Sequence, residues 1–252
     1  AGLLRDDPRA NEAALKYFLL GSFATAFLLY GIAFIYGATG TTNLNAVREA
    51  VLRADAPSPL LLGLAAALML VGLSFKVSGA PFQMWAPDVY DGSPTPVTGF
   101  MATGVKAAAF AALVRLLMEA FPSAIGLWQP VVAGLAIASM VAGNLIALAQ
   151  PSLKRMLAYS SIAHAGYMLV AVWTGTSEGA GAVLFYLLAY GLTTLASFGF
   201  LTALGRGGER DVLTAVVAAC SSSGRCVPAT VSATPPGAPS RSGTSPGMRR
   251  GD

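Results

Sequence analysis

Five stretches of this chain run for twenty residues or more without a charged side chain: 17–47, 56–75, 120–153, 156–177 and 179–205. An α-helix rises about 1.5 Å per residue, so about twenty apolar residues cross a hydrocarbon core of roughly 30 Å. A sixth candidate, Pro96–Leu117, holds 22 residues, with Lys106 at its eleventh position as the only charge before Arg115. The expected fold is therefore all-α, a polytopic transmembrane bundle of about six spans. The chain of 252 residues is 55% hydrophobic and 11% charged, where a soluble domain carries about 25% charged residues. The net charge of +4 sits mostly in residues 212–252, which hold four arginines and one aspartate. Residues 1–211 hold twelve basic and eleven acidic side chains, so no basic patch points to nucleic acid.

A lysine at the centre of a span cannot easily reach either surface. Its burial costs on the order of 3 kcal/mol on insertion scales, which makes Lys106 a functional candidate. Lys76 stands in a comparable place, with Asp55 and Asp88 as its nearest charges and 32 residues between those two. One straight helix of that length would measure about 48 Å, too long for the membrane. Gly79, Pro81 and Pro87 are expected to break it, because Pro81 has no N–H for the carbonyl of Val77. Irregular backbone at membrane depth persists only where protein or water covers it, and broken helices line ion sites in transporters. A freed carbonyl and an ammonium are thus expected within one turn of each other. The structural alternative is a lysine paired with a carboxylate of a neighbouring helix.

Taken in order, a first helix is expected from Asn11 or Glu12 to Tyr36. Lys16 in its first turns is expected to snorkel to the headgroups. An amphipathic piece at Leu44–Ala54 is expected to lie along the surface. After the Lys76 helix, Trp85, Asp88 and Tyr90 are placed at the interface, with Asp88 and Asp91 in an acidic loop at 88–95. Further helices are expected at Val131–Ala149, Met156–Trp173 and Ala182–Leu204. Ser160, Ser161 and His164 lie on the second of these and Tyr190 on the third. They are candidates for ordering water, with a plain interhelical hydrogen bond as the other role for His164. Loops on the side of the chain start carry seven basic residues against three on the other side, which places the first side in the cytoplasm.

The chain starts without Met and without a signal-peptide pattern, and is expected to be an internal piece. From Val212 onward the texture turns Ser-, Pro-, Gly- and Arg-rich. Residues 212–252 are expected to be a disordered low-complexity tail or the frameshifted end of a truncated gene. Both cysteines, Cys220 and Cys226, lie there and match no metal or redox spacing.

The stretch FKVSGAPFQMWAPDVYDGSPTPVTGFMATGVKAAAFAALVRLL closely resembles the antiporter-like membrane subunits of proton-pumping NADH:quinone oxidoreductase, respiratory complex I. NLIALAQPSLKRMLAYSSIAHAGYMLVA fits the same family, and EAALKYFLLGSFATAFLLYGIAFIYG looks most like its N-type subunits. Mrp-type sodium/proton antiporters and membrane-bound hydrogenases share much of this pattern. The resemblance implies a fold of roughly fourteen helices, with two inverted five-helix repeats, of which this chain covers the sixth to the eleventh. Residues 1–211 would then be a partial antiporter-like transmembrane domain. Lys76 matches the family's pumping lysine, Lys106 the connecting lysine and Lys16 a further one. The partner glutamate would lie upstream of Ala1, and a second broken helix would follow Asp211. Gln83 stands where many relatives have His, and glutamine can bridge waters but cannot titrate.

The implied function is proton translocation in the membrane arm of an NADH:quinone oxidoreductase, with Lys76 and Lys106 relaying protons. Hydrocarbon disfavours a charged amine and a nearby carboxylate favours it, so moving a carboxylate can switch a lysine between holding and releasing a proton. The chain has no dinucleotide fingerprint, flavin motif or iron–sulfur cysteines. Flavin, iron–sulfur clusters and quinone are expected in other subunits, with no cofactor or metal here. The expected partners are those membrane subunits and the lipid bilayer, in a bacterial inner membrane. The alternatives are an Mrp-type sodium/proton antiporter subunit and an inactive structural fragment.

Overall fold

A computed structural model describes residues 6–53 and 58–204. These residues form helices α1 (Pro8–Thr39), α2 (Leu44–Leu52), α3 (Pro59–Val77), α4 (Trp85–Gly92), α5 (Thr95–Phe100), α6 (Lys106–Arg115), α7 (Ile125–Leu148), α8 (Leu153–Trp173) and α9 (Ser177–Leu204). α5 and α6 belong to one continuous span, Thr95–Ala120, which carries π-helical turns at Met101–Val105 and Leu116–Ala120. Among the described residues, six helices are long and apolar enough to cross a bilayer. The expected all-α bundle of six spans is therefore observed, and the chain is an integral membrane protein. The expectations for residues 212–252, for the second broken helix and for both cysteines fall outside the described residues.

Several boundaries differ from expectation, each for a local reason. α1 starts at Pro8, because Asp7 caps it by accepting from the Arg9 N–H and proline suits a first turn. α7 starts at Ile125 and runs through Pro130. That proline is the sixth residue, so it leaves unbonded only a carbonyl of the opening turn. α8 begins at Leu153, capped by Ser152, which places Lys154 and Arg155 inside the helix. α9 begins at Ser177 with Glu178 in its first turn. The acidic loop expected at 88–95 is instead mostly helix α4, and Pro87 sits in its first turn rather than in a break. Trp85 and Tyr90 are buried in the protein, at 4% and 1% exposure, so neither ring is free to serve as an exposed interface anchor.

The main packing is α1 against α3 and α7 against α8. Small residues permit the second contact: a Cβ placed on Gly143 would come within 2.6 Å of the Ala163 backbone nitrogen. α4 packs on α1 and α8, α9 packs on α5 and α8, and α6 touches α3. α2 lies against the Leu116–Ala120 turn with Val47 buried. Large apolar side chains such as Phe18, Phe23, Leu148 and Phe185 remain exposed on the outside, as expected of faces that meet lipid or protein.

Candidate functional site

The break beside Lys76 is built from backbone. α3 ends at Val77, and Ser78 follows in the left-handed region at φ 61°, a conformation that costs a non-glycine residue about 1 kcal/mol. The Ser78 N–H donates to Phe75 O and the Gly79 N–H to Ser74 O at 2.8 Å, which closes the helix end. The Ala80 N–H, which would reach Lys76 O in a continuous helix, donates instead to Ser139 Oγ on α7 at 2.8 Å. Pro81 has no N–H for Val77 O. Both carbonyls thus lose their helical donors, where the sequence implied only the one at Val77. Trp85 Nε1 donates back to Phe75 O at 3.0 Å and pins the start of α4 to the end of α3. Buried Ser78 Oγ and Gln83 Oε1 have no partner among the described residues.

Lys76 is half-buried, with Nζ 5.7 Å from the centre of the Tyr17 ring. Tyr17 in turn stacks near Phe75 and Trp85. Lys106 is 1% exposed and is the twelfth of the 26 residues of its span. Its Nζ donates to Ser161 O at 2.7 Å and to Ser161 Oγ, and lies 5.6 Å from the centre of the Tyr190 ring. His164 shares that neighbourhood, with ring centres 5.2 Å apart from Tyr190 and Nδ1 2.7 Å from the Tyr186 hydroxyl. The Tyr190 hydroxyl is buried and has no hydrogen-bond partner among the described residues.

Among the described residues, Lys16, Arg115 and Arg155 form ion pairs, whereas neither Lys76 nor Lys106 has a carboxylate partner. Lys16 pairs with Glu12 at 2.6 Å and Asp88 at 2.8 Å. Asp88 also receives Arg155 at 2.8 Å, so it ties α4 to α1 and α8. Burial alone would raise the Asp88 carboxyl, but hydrogen bonds from Lys16 and Arg155 outweigh it and hold it below the usual carboxylate range.

Four expected site residues therefore meet at one centre: Lys106, Ser161, His164 and Tyr190. Lys76 and Gln83 lie at the break, and Lys16 belongs to the ionic node. Ser160 is half-buried. Sequence reasoning missed Ser139 and Tyr17. Ser139 carried no signal within a helix of small residues, whereas Tyr17 adjoins Lys16 and could have been weighed with it.

A family profile described as "NADH:quinone oxidoreductase/Mrp antiporter, TM" matches residues 1–216. The chain belongs to this family. Similar curated proteins include an NADH-quinone oxidoreductase subunit N 1 of Solibacter usitatus, 56% identical over 83% of this chain and 43% of the relative. A subunit N of Salinibacter ruber is 53% identical over 85% of this chain and 43% of the relative. Among solved structures, respiratory complex I from Thermus thermophilus contains a chain that is 52% identical, with a TM-score of 0.66, over 80% of this chain and 42% of that one. The Mrp complex from Dietzia sp. contains one 26% identical, with a TM-score of 0.67, over 74% of this chain and 34% of that one. The chain spans less than half the length of these NADH:quinone oxidoreductase/Mrp family members.

Proposed function

We propose that this chain forms the lysine-bearing part of a proton-translocating membrane subunit of an NADH:quinone oxidoreductase. The observation that carries the reading is Lys106, buried mid-span on a serine with no described carboxylate partner. An amine placed there is expensive to keep charged and is held by groups that suit exchange rather than permanent pairing. Lys76, beside carbonyls that have lost their helical donors, is the neighbouring relay site. Ser160, Ser161, His164, Tyr190 and Gln83 are proposed to order water around them.

On this reading residues 1–211 act as an antiporter-like unit in a bacterial cytoplasmic membrane, with the Lys16–Asp88–Arg155 end on the cytoplasmic side. Its partners are other membrane subunits of the same complex, and flavin, iron–sulfur and quinone chemistry belongs to those partners. Sequence identity favours this over the Mrp reading, at 52% against 26%. The test is isolation of the full-length protein from its host membrane. The expected result is co-purification with iron–sulfur subunits and proton uptake driven by NADH oxidation. Isolation with partners that lack iron–sulfur clusters, together with sodium/proton exchange independent of NADH, would overturn it.

A further inference from the structure

We infer that the Ser161 hydroxyl is a two-way partner for Lys106, accepting a hydrogen bond from the ammonium and donating one to the neutral amine. This rests on the relay reading above and assigns a positioning residue to it. The groups around Lys106 Nζ are few. α8 supplies Ser161, through both its carbonyl at 2.7 Å and its hydroxyl, and His164. α9 supplies the face of Tyr190 at 5.6 Å. α4, packed on α8, carries the buried Tyr90. On α3 the only titratable side chain is Lys76. Ser161 is 4% exposed, so bulk solvent does not take its place.

The chemistry of the two protonation states fixes what such a partner must do. An ammonium has three donors and no acceptor, whereas a neutral amine has two donors and a lone pair. An ionised carboxylate accepts only, so it serves the charged form and leaves the neutral lone pair unmatched. A serine hydroxyl rotates and can accept or donate. The Ser161 carbonyl, with two lone pairs, keeps its own helical bond and still anchors one amine N–H in both states. When Lys106 gives up a proton to water, Ser161 neither gains nor loses one. It turns its O–H toward Nζ, and the side chain stays in place.

Two variants of the full-length protein in its complex test the assignment: Ser161→Ala removes the rotor, and Ser161→Thr restores it. Two readouts are compared, NADH-driven proton uptake and the ¹⁵N resonance of Lys106 Nζ, assigned through Lys106→Arg. The expected result is that Ser161→Ala lowers coupled proton uptake about tenfold, as for loss of a charge-assisted hydrogen bond. It shifts the Lys106 Nζ resonance while other lysine resonances hold, and Ser161→Thr recovers both. An unchanged Nζ resonance in Ser161→Ala would overturn the inference, as would a shift that Ser161→Thr fails to reverse. If Lys106→Ala leaves proton uptake intact, the relay reading fails on its own, and the Nζ resonance still decides the Ser161 assignment.

Discussion

Removing one hydroxyl, in Ser139→Ala, tests how the interruption beside Lys76 is held open. Ser139 is fully buried on α7, and Ala80 is 3% exposed. The hydroxyl accepts from the Ala80 N–H at 2.8 Å and donates to Leu135 O at 2.6 Å. The second bond is a local return to the helix and adds little. The first satisfies a buried amide, and an amide left bare costs about 1–3 kcal/mol. For a chain of this size each kcal/mol moves the melting temperature by roughly 2–4 °C, so a drop of about 4–8 °C is expected at the middle of that range. In a continuous helix the N–H would instead meet the carbonyl of Lys76. Taking it would add a helical turn beside the lysine and remove a free acceptor, at the expense of coupled transport. Thermal unfolding in detergent and hydrogen exchange at the Ala80 amide separate the two outcomes. Lost stability with fast exchange means a bare amide; retained stability with slow exchange and weaker proton uptake means a rebuilt turn. Unchanged melting, exchange and uptake together would refute the reasoning.

Three further outcomes follow from packing and charge. Gly143→Ala is expected to destabilise by about 1–3 kcal/mol, because the new Cβ meets the Ala163 backbone; Gly134→Ala on the same helix, where no atom lies within 4 Å, is the neutral control in the same melting assay. The Asp88 carboxyl is depressed in the folded state. Its contribution is therefore present above the unfolded carboxylate pKa and lost as pH falls through the folded value. Asp88→Asn is expected to flatten the acid limb of a stability–pH curve, and an unaltered limb would count against the ionic node. Trp85→Phe keeps the ring contacts but loses the Nε1 bond to Phe75 O. Since that oxygen still accepts from Ser78, the expected loss is only about 1 kcal/mol in denaturant unfolding.

The spans were legible because apolar run length is a one-dimensional property, and so was the interruption, since Pro81 lacks a donor wherever it sits. The helix ends were less legible. Pro130 reads as a barrier, yet as the sixth residue it deprives only an opening-turn carbonyl; Asp88 reads as loop, yet Lys16 and Arg155 from two other helices hold it on a helix. The lysines stood out as charges in hydrocarbon, and Ser161 as a polar group in an apolar helix, but its pairing with Lys106, 55 residues away, did not, nor did the bond of Ser139 to the Ala80 N–H, 59 residues away. Nor does sequence pattern announce the π-helical turn that ends just before Lys106, a feature often found at functional sites.

The account turns on the two amines being carriers of protons. Its most direct test is the number of protons taken up per NADH oxidised by the full-length complex in sealed vesicles, with Lys76→Ala and Lys106→Ala each compared against the parent at matched oxidation rate. A lower ratio in both variants is the predicted result. An undiminished ratio in both would contradict the account and leave the lysines as packing residues.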